Sequence, residues 1–190
     1  MQNRKPYHHL LGTTLLSSCL KDDGRVYDFA SDAPVIDFAL AAFKSTNVAT
    51  ATISAAKTTN QINALITVQS ANPTTVPVAV TVIVDATAVP AGGTLLPAST
   101  YTVVGGTLSI TVPAGTGQPP VGSGSVPIIG ALPTTFAAGQ AAVSFTVTTA
   151  AVQALPAGTY YLPLTITSAS GQGVIIDQYH TLIYKIVVGP

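Results

Sequence analysis

The sequence predicts an all-β protein folded as an antiparallel β-sandwich, on three observations. After Pro34, apolar residues recur at every second position in most segments, the period of a strand with one buried face. The helix formers Glu, Lys, Arg and Met are nearly missing, with no Glu, one Met and seven Lys plus Arg, while Thr, Val, Ile, Gly and Pro abound. Hydrophobic residues make up 47% of the 190, enough for the core of one domain, whereas charged residues make up only 7%.

In chain order, Ile36, Phe38 and Leu40 form the first apolar stripe, and Val48 to Ala55 alternates more weakly. Ile62 to Val68 follows, then Val76, Val78, Val80, Val82 and Val84, with Pro77, Ala79, Thr81 and Ile83 on the opposite face. Pro77 cannot donate to a ladder, so it marks an edge position or a strand start. Tyr101–Val104 and Thr107–Val112 flank Gly105-Gly106, the signal of a hairpin. Val143, Phe145 and Val147 make the next stripe, then Tyr160, Leu162, Leu164 and Ile166, and last Leu182, Tyr184, Ile186 and Val188. The total is about eight or nine strands, the number a sandwich needs. No stretch after Lys57 shows the three- and four-residue apolar spacing of a helix.

Two segments interrupt the pattern. Pro90 to Pro97 is a turn-rich connector, and residues 113–139 form a Pro/Gly-rich insert in which Val126 to Ile129 offers one more short strand. A loop of that length is either a binding loop or disordered, and the residues alone leave both readings open.

The N-terminus reads as an export signal. Arg4 and Lys5 give a positive start, Leu10 to Leu16 a short apolar stretch, and Ser17 and Ser18 the small residues before a cleavage point. That stretch is too short to span a bilayer. Leu16-Ser17-Ser18-Cys19 resembles the bacterial lipobox, which implies lipid attachment at Cys19; a lone buried thiol is the competing reading. Two or three acyl chains, at ~0.8 kcal/mol per buried CH₂, give stable anchoring. Lys21-Asp22-Asp23 directly behind it resembles the surface-export signal of Bacteroidota lipoproteins, and is equally compatible with a plain solvated tether. The expected organisation is a signal peptide at 1–18, a lipidated tether at 19–33 and a sandwich at 34–190. The expected location is the outer membrane, facing outward, with membrane lipid as the first partner.

A family resemblance rests on three segments. They are Leu95-Leu96-Pro97-Ala98-Ser99-Thr100-Tyr101-Thr102, Leu155-Pro156-Ala157-Gly158-Thr159-Tyr160-Tyr161-Leu162-Pro163-Leu164-Thr165-Ile166, and Thr181-Leu182-Ile183-Tyr184-Lys185-Ile186. Together they resemble the immunoglobulin-like domain of unknown function at the N-terminal end of Bacteroidota surface lipoproteins. The resemblance implies an immunoglobulin-like sandwich across residues 34–188, in the setting of glycan-binding or glycosidase-like lipoproteins beside sugar-uptake systems. The chain departs from that pattern by a shortened stretch before Leu95 and by the insert after Val112. A partner domain able to supply catalysis is not expected.

Charge and chemistry narrow the function. The formal net charge of +0 gives no basis for nucleic-acid capture. From Ala86 to Ile176 there is no charged residue, a surface suited to an immobilised or polymerised protein. Asp37, Asp85 and Asp177, the acids of the domain, lie in no motif, and two positioned carboxylates are what glycoside hydrolysis requires. His180 has no triad or metal-site spacing, and no phosphate loop is present, so neither catalysis nor a cofactor is expected. Among the tyrosines, Tyr160 and Tyr184 share faces with aliphatic residues and are assigned to the core. Tyr161 and Tyr179 alternate outward and are the candidate ligand-contact aromatics. Two function classes follow. One is a lipid-anchored, non-catalytic binding or adhesion module for a glycan or a partner lipoprotein; the other is a filament or surface-layer subunit self-assembling by strand addition.

Overall fold

The computed structural model describes residues 33–44, 47–70, 77–104, 107–110, 128–133, 136, 139–170 and 173–189. Cys19 and Lys21, Asp22 and Asp23 lie outside the described residues, as does most of the 113–139 insert. In chain order the elements are β1 (Val35–Phe38), α1 (Ala39–Lys44), β2 (Val48–Thr50), β3 (Thr59–Gln69), β4 (Val78–Val84), β5 (Thr94–Leu95), β6 (Tyr101–Val104), β7 (Thr107–Ile110), β8 (Gln140–Thr148), α2 (Thr149–Gln153), β9 (Gly158–Ala169), β10 (Val174–Ile175) and β11 (Thr181–Val188). Each of the nine segments read from periodicity contains a strand, Val48 to Ala55 only over Val48–Thr50, while Val76, Thr111 and Val112 lie outside the described residues. β5 and β10, two residues each, are additional and too short to carry a period.

Two sheets form the sandwich: β10-β1-β3-β8-β6 and β2-β11-β9-β4-β7. The central order β1-β3-β8-β6 against β11-β9-β4 is the ABED-against-GFC arrangement of immunoglobulin-like domains. The expected first stripe ends early. The strand stops at Phe38, and Ala39–Lys44 (Ala-Leu-Ala-Ala-Phe-Lys), a run of good helix formers, makes one helical segment. That helix lets the first strand change layers: β1 pairs with β3 in the first sheet, and β2 pairs parallel to β11 in the second.

Alternation places the core as the sequence implies. Ile62, Ala64, Ile66 and Val68 of β3 and Val143, Phe145 and Val147 of β8 face Leu162, Leu164 and Ile166 of β9 and Leu182, Tyr184 and Ile186 of β11. Val78, Val80 and Val82 join them, and Pro77 is exposed just before a strand paired on both sides, so it marks a strand start rather than an edge. Tyr160 and Tyr184 are both buried. The Tyr160 hydroxyl donates to the Pro156 carbonyl four residues upstream at 3.0 Å, a tyrosine corner that fixes the entry into β9.

Two further expectations are corrected. A helix does form after Lys57, α2, whose five residues are too few to show an apolar period. Tyr101–Val104 and Thr107–Ile110 do not pair as a hairpin: β6 pairs with β8 in the first sheet, β7 with β4 in the second. The Tyr101 ring stands edge-on to Phe145, with centroids 5.8 Å apart, and this contact binds β6 to β8. β6 ends the first sheet, with Val103 48% and Val104 60% exposed.

Asn63 ties the layers together. Its carbonyl accepts the buried Tyr184 hydroxyl from the opposite sheet. Its side chain donates to the Gly130 carbonyl at 2.8 Å and accepts from Ser144 at 2.9 Å, while its N–H donates to the Ile128 carbonyl at 2.9 Å. The described end of the insert is thereby fastened to β3, with Ile129 bridging Ile62 where β1 has already turned away. Tyr184→Phe removes the only cross-layer donor of this set; it is expected to cost about 1–3 kcal/mol in urea unfolding, with the slope unchanged.

Candidate functional site

The outer face of the second sheet carries the first candidate residue, Tyr161. Along β9 the core takes Leu162, Leu164 and Ile166, so Tyr161, Pro163 and Thr165 point outward. Register places Lys185 of β11 opposite Tyr161, with Thr50 of β2 beyond it. In the next row Val48, Ile183 and Pro163 align. On its other side Tyr161 meets the connector that follows β4. Leu96 N–H donates to the Tyr161 carbonyl at 2.8 Å, and β5 lies parallel to β9 there.

That connector builds a floor under the ring. Gly93 N–H donates to the Pro90 carbonyl at 2.8 Å, closing a turn whose third residue, Gly92, has a φ of 73° that favours glycine. A Cβ on Gly93 would lie 2.7 Å from Tyr161 Cε2 and 2.8 Å from Cδ2, so only glycine lets the ring approach the backbone this closely. The ring is held rather than free, as an aromatic platform requires.

A polar chain lies four residues further along β9 on the same face. Asp85 Oδ1 accepts from the Thr87 N–H at 3.0 Å and hydroxyl at 2.6 Å, and Oδ2 accepts from Thr165 at 3.2 Å, whose hydroxyl is in turn 3.3 Å from that of Thr181. The hydrogen bonds from Thr87, and more weakly the one from Thr165, hold the Asp85 carboxyl below the usual carboxylate value. His180 Nδ1 lies 2.5 Å from the Asp177 carbonyl, which can only accept, so Nδ1 carries the hydrogen.

The second candidate, Tyr179, is placed elsewhere. It sits half-buried against the core, in the turn before β11, with its carbonyl accepting the Phe38 N–H at 3.1 Å. Tyr161 stands opposite Lys185, four residues beyond the start of β11, which is ~13 Å along the sheet. The two tyrosines therefore do not form one platform.

Asp37 is the group whose environment the sequence conceals. It lies on the outer face of the first sheet, opposite Thr67, and is 2% exposed. The Thr67 hydroxyl donates to Oδ1, and Gln69 Nε2 donates to Oδ2 at 3.3 Å. Burial outweighs the Thr67 hydrogen bond and raises its pKa. Asp37 and Asp85 stand on opposite outer faces of the sandwich, across a core ~10 Å thick, so they cannot flank one glycosidic bond. Among the described residues no three His, Cys, Asp or Glu side chains gather to hold a metal.

Residues 35–173 match a family model described as a "-like, N-terminal domain". The chain belongs to that N-terminal-domain family. The match contains two of the three segments on which the resemblance rests, Leu95–Thr102 and Leu155–Ile166. The chain is similar in structure to a candidate carbohydrate-binding protein from Bacteroides ovatus, at a TM-score of 0.50 and 12% identity, over 83% of this chain and 38% of that one. It is also similar to EndoBT-3987 with a Man5GlcNAc product from Bacteroides thetaiotamicron, at a TM-score of 0.48 and 15% identity, over 80% of this chain and 30% of that one. A two-domain protein of unknown function from Bacteroides fragilis aligns at a TM-score of 0.49 and 8% identity, over 83% of this chain and 46% of that one. The chain thus spans less than half the length of these structures. No curated protein matches the sequence.

The Asp37 environment has a pH consequence. Its folded pKa lies above the unfolded value, so the folded state holds the proton more tightly. The stabilisation is complete below the unfolded pKa and is lost as pH rises through the folded one. Asp37→Asn, which keeps the shape without the charge, is therefore expected to raise the urea midpoint at about pH 7. The gain should vanish near pH 3, where the wild-type carboxyl is neutral as well.

Proposed function

We propose that the chain is a surface-exposed, lipid-anchored lipoprotein whose sandwich acts as a non-catalytic binding module for a glycan, on the outer face of the second sheet. The observation that carries the reading is the Tyr161 ring seated on the Gly93 backbone, with Lys185 opposite it and Thr50 beyond. A tyrosine fixed by its own fold can stack on a sugar ring without losing further side-chain freedom. The fold likeness to the candidate carbohydrate-binding protein supports the same reading. The anchor rests on the Leu16–Cys19 lipobox, and the outward orientation on Lys21-Asp22-Asp23. The exposed β6 edge favours the alternative, a filament subunit assembled by strand addition.

Affinity electrophoresis of the full chain through gels containing mannan, xylan or polygalacturonate tests the site. Retardation is expected in at least one, and Tyr161→Ala should weaken it roughly tenfold while Tyr161→Phe retains it. Equal migration of wild type and Tyr161→Ala in every gel would refute the reading. The anchor is tested separately: radiolabelled palmitate is expected in the wild-type chain and absent from Cys19→Ala.

A further inference from the structure

The strands around Tyr161 carry one charge. β2, β9 and β11 together carry a single ionisable cation and no acid, and that cation is Lys185. It is the one basic residue on any strand among the described residues. Register sets it directly opposite Tyr161, and such cross-strand neighbours have Cβ atoms ~4.5–5.5 Å apart on the same face. Its side chain is half-exposed, and no ion pair engages it among the described residues. The acid of that face, Asp85, lies beyond β9 and is already bonded to Thr87 and Thr165.

We infer that the glycan taken by this face carries a carboxylate, as a uronate does, with its ring on Tyr161 and its carboxylate on Lys185 Nζ. This rests on the glycan reading above and narrows it to a chemical class. The argument is charge complementarity. No other residue of these three strands carries a charge, and hydrogen bonds and stacking alone would serve a neutral sugar. A lysine beside the aromatic supplies what they lack, an ammonium for an acidic substituent projecting a few ångströms beyond the stacked ring. Because both groups stay in contact with water, the ionic part weakens with salt.

The test uses the full chain in gels containing polygalacturonate or the same polymer with its carboxyls methyl-esterified. The expected result is retardation by the acid polymer and at least tenfold less by the ester. Lys185→Gln should lose at least tenfold on the acid polymer with an unchanged unfolding transition, Lys185→Arg should retain binding, and raising salt from about 0.1 M to 0.5 M should release the wild type. Equal retardation by acid and ester, or full retention by Lys185→Gln, overturns the acidic class while leaving the glycan reading intact. No retardation by these polymers or by mannan and xylan overturns both.

Discussion

Asn63 is the residue on which the two layers and the insert converge. A strand interior is a poor place for asparagine by propensity, yet here each of its hydrogen-bonding groups has a distant use. The carbonyl takes the Tyr184 hydroxyl from the other sheet, the amide group joins Gly130 and Ser144, and the N–H takes Ile128. A sandwich core built from Val, Ile and Leu packs well but specifies register weakly. A buried polar hub costs heavily if any partner is misplaced, so it selects one arrangement. Asn60 does the same at the sandwich end, where it joins Ser54 on one side and Thr149 of α2 on the other. In a chain with 7% charged residues, amides and hydroxyls take the role that buried ion pairs play elsewhere.

Much of the fold was legible because period two is a local signal. Val143, Phe145 and Val147, or Leu162, Leu164 and Ile166, declare their buried face with no knowledge of the partner strand. What periodicity lacks is the identity of that partner. Gly105-Gly106 looked like a hairpin because a glycine pair permits a reversal; it equally permits a crossing, and only the seating of Tyr101 against Phe145 puts β6 in the first sheet. The end of β1 was hidden for a related reason. Leu40 continues the alternation of Ile36 and Phe38, and the alanine run that turns the chain into α1 registers only as propensity.

The site was half legible. Tyr161 faces outward as alternation requires, but the glycine that holds its ring lies 68 positions earlier, in a connector whose turn residues signal only a loop. Tyr179 misled because alternation holds only within a strand, and it lies in a turn folded back onto the core. Asp37 sits in a regular strand pattern as an outward polar residue. Its burial comes from what lies over the first sheet's outer face, which no local window contains.

One aromatic and a few hydrogen bonds make a weak site, since stacking contributes ~0.5–1.5 kcal/mol and each exposed polar contact less. A freely diffusing protein with such a site would spend most of its time unbound. The tether proposed above would change the arithmetic. Many copies held on one surface, facing a polymer with repeating sugars, convert each later contact into an intramolecular event at high effective concentration. A sparsely charged sandwich would suit that crowding, because neighbours carrying few ions do not repel one another across a Debye length. On the reading proposed above, a membrane anchor and a single-tyrosine face would be two halves of one design: the anchor would supply the multiplicity that the face, taken singly, lacks.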